Sequence, residues 1–305
     1  MATTGTARFV TSADETQIWA DAAGDASKPV LVFAHGFACS AAHFAKQFAD
    51  PALLRNLYLV RYDLRGHGRS DQPGEAEMYT SQKQAEGFRA VCDALGAVRP
   101  FFLGWSYGGI LAADILAVYG PDALAGIIYM GGVPWRSAHA ELAQPGALAF
   151  FPDLLAPPDV AAFARACAAF VDSCVAPGFA VPAVERWFWG GALALQSPTA
   201  RLALTQPTQD PTALLAAAET MPVLLIQGAL DAQVDPTRLR AFLAARFARL
   251  EAHTLDGVGH AAFYERPEEV HRLILGFVRR VRREEAVGKE EVEGEGGRGV
   301  KGEER

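Results

Sequence analysis

Short uninterrupted apolar runs alternate along the chain with stretches in which apolar residues recur every three or four positions. The runs cover residues 29–34, 57–62, 99–103, 125–130 and 222–227, and each leads into a loop containing glycine, histidine or aspartate. Runs of this kind mark strands buried on both faces. Residues 250–255 supply a last strand, and two segments around Ser12-Ala13-Asp14-Glu15 predict an opening hairpin. The helical pattern is clearest over 81–95, where Ala85, Phe88, Val91, Cys92 and Leu95 share one side. It recurs at 109–119, at 236–247 and from Pro267 onward, with Val270, Leu273, Ile274, Phe277, Val278 and Val281 in phase. Such alternation predicts a mostly parallel α/β sheet with helices on both faces. Ligands on such sheets bind beyond the carboxyl ends of the strands, where the loops lie, so a single shared site is expected.

The rhythm stops after Gly131-Gly132-Val133-Pro134 and resumes at Pro222. Residues 135–220 hold no lysine and few acids, with phenylalanines and tryptophans spread among prolines and alanines. An apolar insertion between two strands predicts a helical lid over the carboxyl edge. The core is therefore expected to comprise 1–134 and 221–283. Residues 284–305 alternate charged residues and glycine with little to bury, and a disordered tail is expected there.

Composition narrows the partners. Half of the 305 residues are hydrophobic and 21% are charged, enough for a sizeable core. A net charge of −7 with no basic stripe argues against nucleic acid. No segment approaches the apolar length of a membrane span. Cys39, Cys92, Cys167 and Cys174 form no C-x-x-C pair, so free thiols in a cytoplasmic protein are expected.

The chemistry concentrates at Gly104-Trp105-Ser106-Tyr107-Gly108, between a predicted strand and a predicted helix. A G-x-S-x-G sequence in that context fits a nucleophile elbow, a turn so tight that the residues flanking the serine must be almost free of side chain. A serine hydroxyl needs a base to take its proton and a carboxylate to orient that base. Of seven histidines, His260 alone sits in a glycine-rich loop between the last strand and the last helix. His43, His139 and His271 fall on predicted helices and His253 within a strand. Asp231, directly after the strand at 222–227, is the favoured acid. Its rivals have other work: Asp235 is placed to cap the helix at Pro236, and Asp256 to close a turn.

Serine, aspartate and histidine in that order, each after a different strand, resemble the α/β-hydrolase superfamily over roughly residues 8–281. His35-Gly36-Phe37, the Asp63–Ser70 loop and the segment from Gly259-His260 to Glu265-x-Pro267 match its motifs. The resemblance implies an eight-stranded sheet and a serine hydrolase that cleaves a carboxylic ester or lactone without metal or cofactor. It assigns Ser106 as nucleophile, Asp231 as acid and His260 as base. The amides of Phe37 and Tyr107 would form the oxyanion hole, with His35 and Arg65 bracing the loops. Trp105, Trp187 and Trp189 are the expected substrate contacts. A lysine-free aromatic lid predicts a small, uncharged hydrophobic substrate. Haloperoxidase-like or carbon–carbon bond hydrolysis, and a ligand receptor without turnover, are the alternatives within the superfamily. Ala261 stands where lyases of the superfamily typically carry lysine and its carbon–carbon hydrolases tryptophan.

Overall fold

The computed structural model describes residues 7–206 and 208–296, with side chains through 287. Its centre is an eight-stranded sheet of β1 (Arg8–Thr11), β2 (Gln17–Gly24), β3 (Val30–Ala34), β4 (Tyr58–Tyr62), β5 (Phe101–Trp105), β6 (Gly126–Met130), β7 (Val223–Gly228) and β8 (Leu250–Leu255). The order across the sheet is β1-β2-β4-β3-β5-β6-β7-β8. The hairpin β1–β2 joins antiparallel, and the strands from β4 to β8 run parallel. Strands β3, β5, β6 and β7 are buried throughout, as their uninterrupted apolar sequences require. β8, at the edge, is only partly covered, and its polar residues Glu251, His253 and Thr254 fit that position.

Alternate residues of each strand feed two cores. On β3, Leu31 and Phe33 pack into one layer, while Val30, Val32 and Ala34 pack into the other. Helix Ser81–Leu95 covers the second layer with Ala85, Phe88, Val91, Cys92 and Leu95 buried. Thr80 caps its first turn through the Lys83 amide, and Gly96 ends it at φ 67°. Between β6 and β7 stand the inserted helices Pro145–Leu155, Val160–Ser173, Ala183–Leu195, Pro198–Ala203 and Thr212–Ala216. All four cysteines are free, Cys167 and Cys174 included.

The last helix runs from Pro267 to Gly296, across part of the segment for which disorder is expected. Glu284 pairs with Arg249 and Arg280, and Glu285 with Arg99 and Arg282. Anchors supplied by distant loops, added to i,i+4 pairing along the helix, hold a segment whose own residues bury little. The remainder of that expected tail, 297–305, lies outside the described residues.

The loop after β4 is fastened to the opening hairpin by a buried fork. Arg65, 1% exposed, donates from Nη1 to Asp14 Oδ2 at 2.8 Å and Thr16 Oγ1 at 2.6 Å, and from Nη2 to Asp14 Oδ1 at 2.7 Å. Lys83 Nζ adds a 2.7 Å contact to the same carboxylate. Burial alone would raise the Asp14 carboxyl, but the bonds from Arg65, Lys83 and Thr16 hold it well below the usual range. An acid depressed in the fold adds stability that is complete above its unfolded pKa, about 3.9, and is lost as pH falls below it. Asp14→Asn leaves the buried guanidinium uncompensated and is expected to cost about 3 kcal/mol in urea denaturation at neutral pH. The gap between wild type and variant should stay constant down to about pH 5 and close progressively below about pH 4.

Candidate active site

Register places the loops before any side chain is considered. Ala34 pairs with Gly104, so the loop at His35-Gly36-Phe37 leaves the sheet beside the turn at Ser106. Trp105 pairs with Met130, which sets Gly131 on the other side of that turn. Gly228 pairs with Leu255, which brings the Asp231 and His260 loops together.

Ser106 adopts φ 54°, a left-handed conformation that a serine enters only under constraint. The constraint is backbone contact. A Cβ on Gly108 would lie 2.3 Å from the Ala34 carbonyl oxygen, and one on Gly104 would lie 2.5 Å from Gly109 Cα. No other residue fits at either place. A 3₁₀ turn over Ser106–Ile110 leads into helix Leu111–Tyr119, so the helix begins at the serine itself rather than at Gly109.

His260 Nδ1 lies 2.7 Å from Asp231 Oδ2, with both side chains 1% exposed. The other carboxylate oxygen, Oδ1, accepts from the amides of Gln233 (2.8 Å) and Val234 (2.9 Å), which fixes its plane. A carboxylate only accepts, so Nδ1 carries the proton and Nε2 is left as an acceptor. That Nε2 is buried and has no partner among the described residues. Trp105 Nε1 donates to the His260 carbonyl at 3.1 Å, and the two rings lie 5.8 Å apart, which sets the imidazole beside the residue preceding Ser106. Glu265 steadies the loop, accepting from the Gly259 amide at 2.8 Å and the Ala176 amide at 3.2 Å.

The remaining histidines are otherwise engaged. His35 Nε2 accepts from the Leu64 amide at 3.0 Å, and burial holds the ring well below the usual imidazole range. Burial likewise lowers His43 and His67 to about 4. His253 pairs with Glu251 at the sheet edge, and His271 faces Asp50. Asp235 caps its helix through the Thr237 and Arg238 amides, as its place before Pro236 predicts.

A cavity of about 370 Å³ opens on Ser106. Phe37, Tyr107, Phe151 and Leu155 form much of its wall, and Arg136, His139 and Gln233 add polar groups. None of the three expected tryptophans lines it. Trp105 is 1% exposed beneath the site. Trp189 is buried against His43 and Tyr264, whereas Trp187 is 74% exposed. Two positions apart on one helix, Trp187 and Trp189 point to nearly opposite sides, and neither side is the cavity wall. Arg136, His139 and Gln233 escaped sequence reasoning, although Gln233 stands two residues beyond Asp231 and Arg136 just beyond the β6 loop. Placement at the carboxyl edge is the signal that would have found them.

The family model for the alpha/beta hydrolase fold matches residues 29–267. The chain belongs to that family. Among solved structures, this α/β hydrolase is similar to a Burkholderia cenocepacia protein assigned as an aryl esterase, with TM-score 0.81 and 30% identity over 90% of this chain and 98% of that one. It is also similar to the esterase RhEst1 from Rhodococcus sp. ECU1013, with TM-score 0.79 and 26% identity over the same shares. A pimeloyl-[acyl-carrier protein] methyl ester esterase of Yersinia pestis is 28% identical over 228 residues, 72% of this chain and 82% of that protein. The chain spans only 25% of the Mycobacterium tuberculosis protein assigned as oxidoreductase EphD, at 32% identity over 153 residues. No helix among the described residues of this α/β hydrolase is long and apolar enough to cross a membrane.

The tryptophans provide a direct check on the cavity wall. Trp187→Ala is expected to change stability by no more than about 0.5 kcal/mol. Trp105→Ala removes a buried ring and the donor to His260, and should cost about 3–5 kcal/mol in chemical denaturation.

Proposed function

We propose that this α/β hydrolase cleaves an ester bond of a small, largely apolar substrate through an acyl-enzyme on Ser106. The observation that carries the reading is the buried 2.7 Å Asp231–His260 pair, whose second imidazole nitrogen has no partner, at the same carboxyl edge of the sheet as a serine held at φ 54°. His260 Nε2 takes the Ser106 proton as Oγ bonds to the acyl carbon. The carbonyl electrons move onto oxygen, where the amides of Phe37 and Tyr107 meet them. Tyr107 lies in the first turn of its helix, whose N–H groups have no intrahelical acceptor. Each such donor is worth about 3 kcal/mol to the transition state. The carbonyl re-forms as the alkoxide leaves with the proton from His260. Water, deprotonated by the same nitrogen, then releases the acid and restores Ser106. Asp231 keeps the tautomer and stays ionised throughout. The inserted helices serve as a lid, since Phe151 and Leu155 wall the cavity on which Ser106 opens.

Short 4-nitrophenyl esters test the scheme. Ser106→Ala and His260→Ala should each lower kcat by about 10⁵-fold, and Asp231→Asn by about 10⁴-fold, with folding intact by circular dichroism. A fluorophosphonate should add its mass to the peptide containing Ser106. Labelling elsewhere, or undiminished turnover by Ser106→Ala, would refute the assignment.

A further inference from the structure

Arg136 lines the cavity that Ser106 opens on, and it is the only arginine, lysine or carboxylate in that lining among the described residues. Its guanidinium is poorly provided for. Nε is buried without a hydrogen-bond partner. Nη2 reaches only Tyr107 Oη, at 3.5 Å, and no carboxylate stands within ion-pairing distance among the described residues. Arg65 has by contrast a bidentate carboxylate and a threonine hydroxyl; Arg201, buried over the Phe163 ring, shares the lack of a carboxylate but does not line the cavity.

The residue is nevertheless held in place. Its backbone amide donates to Gln209 Oε1 at 2.6 Å, and Gln209 Nε2 donates to the Ile110 carbonyl at 2.8 Å and Asp114 Oδ1 at 2.7 Å. Gln209 thereby ties residue 136 to the helix that begins at Ser106. Asp114 lies behind Gln209 and outside the cavity lining. Within the cavity, His139 adds no second positive charge, since burial and the neighbouring Arg136 hold its ring below the usual imidazole range.

A guanidinium lining an apolar cavity bears a desolvation cost against which the protein sets the Tyr107 ring, 5.5 Å from Cζ, and the field of Asp114, but no ion pair. A substrate carboxylate would offset it through charge-assisted, geometrically matched hydrogen bonds. We infer that Arg136 is a specificity-determining residue that receives a carboxylate at the far end of the acyl chain. The preferred substrates are then half-esters of dicarboxylic acids, with the apolar methylenes against Leu148, Phe151 and Leu155. This rests on the reading of Ser106 as a hydrolytic nucleophile, and it adds a charged end to a substrate whose body is apolar.

The test compares monomethyl adipate with methyl hexanoate, following acid release at constant pH, for wild type, Arg136→Gln and Arg136→Lys. Wild type should favour the half-ester by about tenfold or more in kcat/KM. Arg136→Gln should collapse that ratio by about 30-fold, chiefly through KM, and Arg136→Lys should retain part of it. A wild-type preference for the neutral ester, or an equal loss on both esters in Arg136→Gln, overturns the inference. The Lys variant decides the matter if the Gln variant does not fold, because loss of the preference with the charge retained and the fold intact counts against a simple charge site. If wild type hydrolyses neither ester, the hydrolytic reading fails on its own. Adipate binding to Ser106→Ala protein then decides for Arg136: a rise in Tm that is absent from the Ser106→Ala/Arg136→Gln double variant supports the carboxylate site, and no rise overturns it.

Discussion

The contact between the Gly108 backbone and the end of β3 is the constraint on which the site depends. With only 2.3 Å between the position of a Cβ and the Ala34 carbonyl oxygen, the turn after β5 can close only because glycine stands there. Closure forces Ser106 left-handed and sets the first turn of a helix directly at its hydroxyl-bearing residue. It also presses Gly36 to within 3.3 Å, measured from a Cβ position, of the Ser106 Cβ, so the loop carrying Phe37 cannot drift from the serine. Parallel pairing then delivers the remaining groups. Once β6, β7 and β8 are in register, Gly131 lies 3.1 Å, again measured from a Cβ position, from Asp231 Oδ2 and 3.3 Å from His260 Nδ1. One packed backbone contact thus organises loops contributed by five strands.

Pairing with a carboxylate does not by itself mark a histidine for chemistry. Three such pairs occur among the described residues, at His253, His260 and His271. The His253 pair is about one-third exposed on both sides, where water competes for the imidazole and weakens any preference for one tautomer. His271 has its Nε2 within 3.0 Å of Gln47 Nε2 and its Nδ1 3.1 Å from a partly exposed Asp50 carboxylate with which it forms no hydrogen bond, so both ring nitrogens face a neighbour. His260 differs in burial on both sides of the pair and in having one nitrogen committed and the other unoccupied. Buried His35 and His67 show the opposite solution, with neutral rings serving the backbone of the loops around them.

Much of this architecture was legible because burial on two faces leaves a run of apolar residues that nothing else explains. The strands from β3 to β7 and helix Ser81–Leu95 follow from period and punctuation alone. The triad candidates followed from position as well, since each stands directly after a strand and each rival aspartate had a local task. What escaped were properties set by distant partners. Nothing near Glu284 or Glu285 announces that Arg249 and Arg99 will hold them and extend the last helix. The tryptophans misled because aromatic content says how much surface a segment can bury but not against what. Trp105 supports the His260 carbonyl from below, and Trp189 packs on His43. Arg136 was passed over for the converse reason. The segment's lack of lysine predicts an uncharged substrate, although a single guanidinium lines a cavity this small.

The support beneath Arg136 carries an energetic signature of its own. Burial raises the Asp114 carboxyl to about 6, although bonds from Gln209 and Ser81 and the nearby Arg136 favour its ionised form. An acid whose folded pKa exceeds its unfolded value stabilises the fold less as pH rises between the two, and the loss is complete above the higher one. At neutral pH the protein therefore holds a carboxylate where a neutral group would be more stable. That carboxylate accepts from Gln209, and Gln209 in turn fixes the backbone of Arg136 relative to the helix that begins at Ser106. A stability cost at this point is what a polar support for a cavity-lining cation requires: an apolar residue at position 114 would suit the surrounding core, but it would leave the Gln209 amide group with the Ile110 carbonyl as its one acceptor.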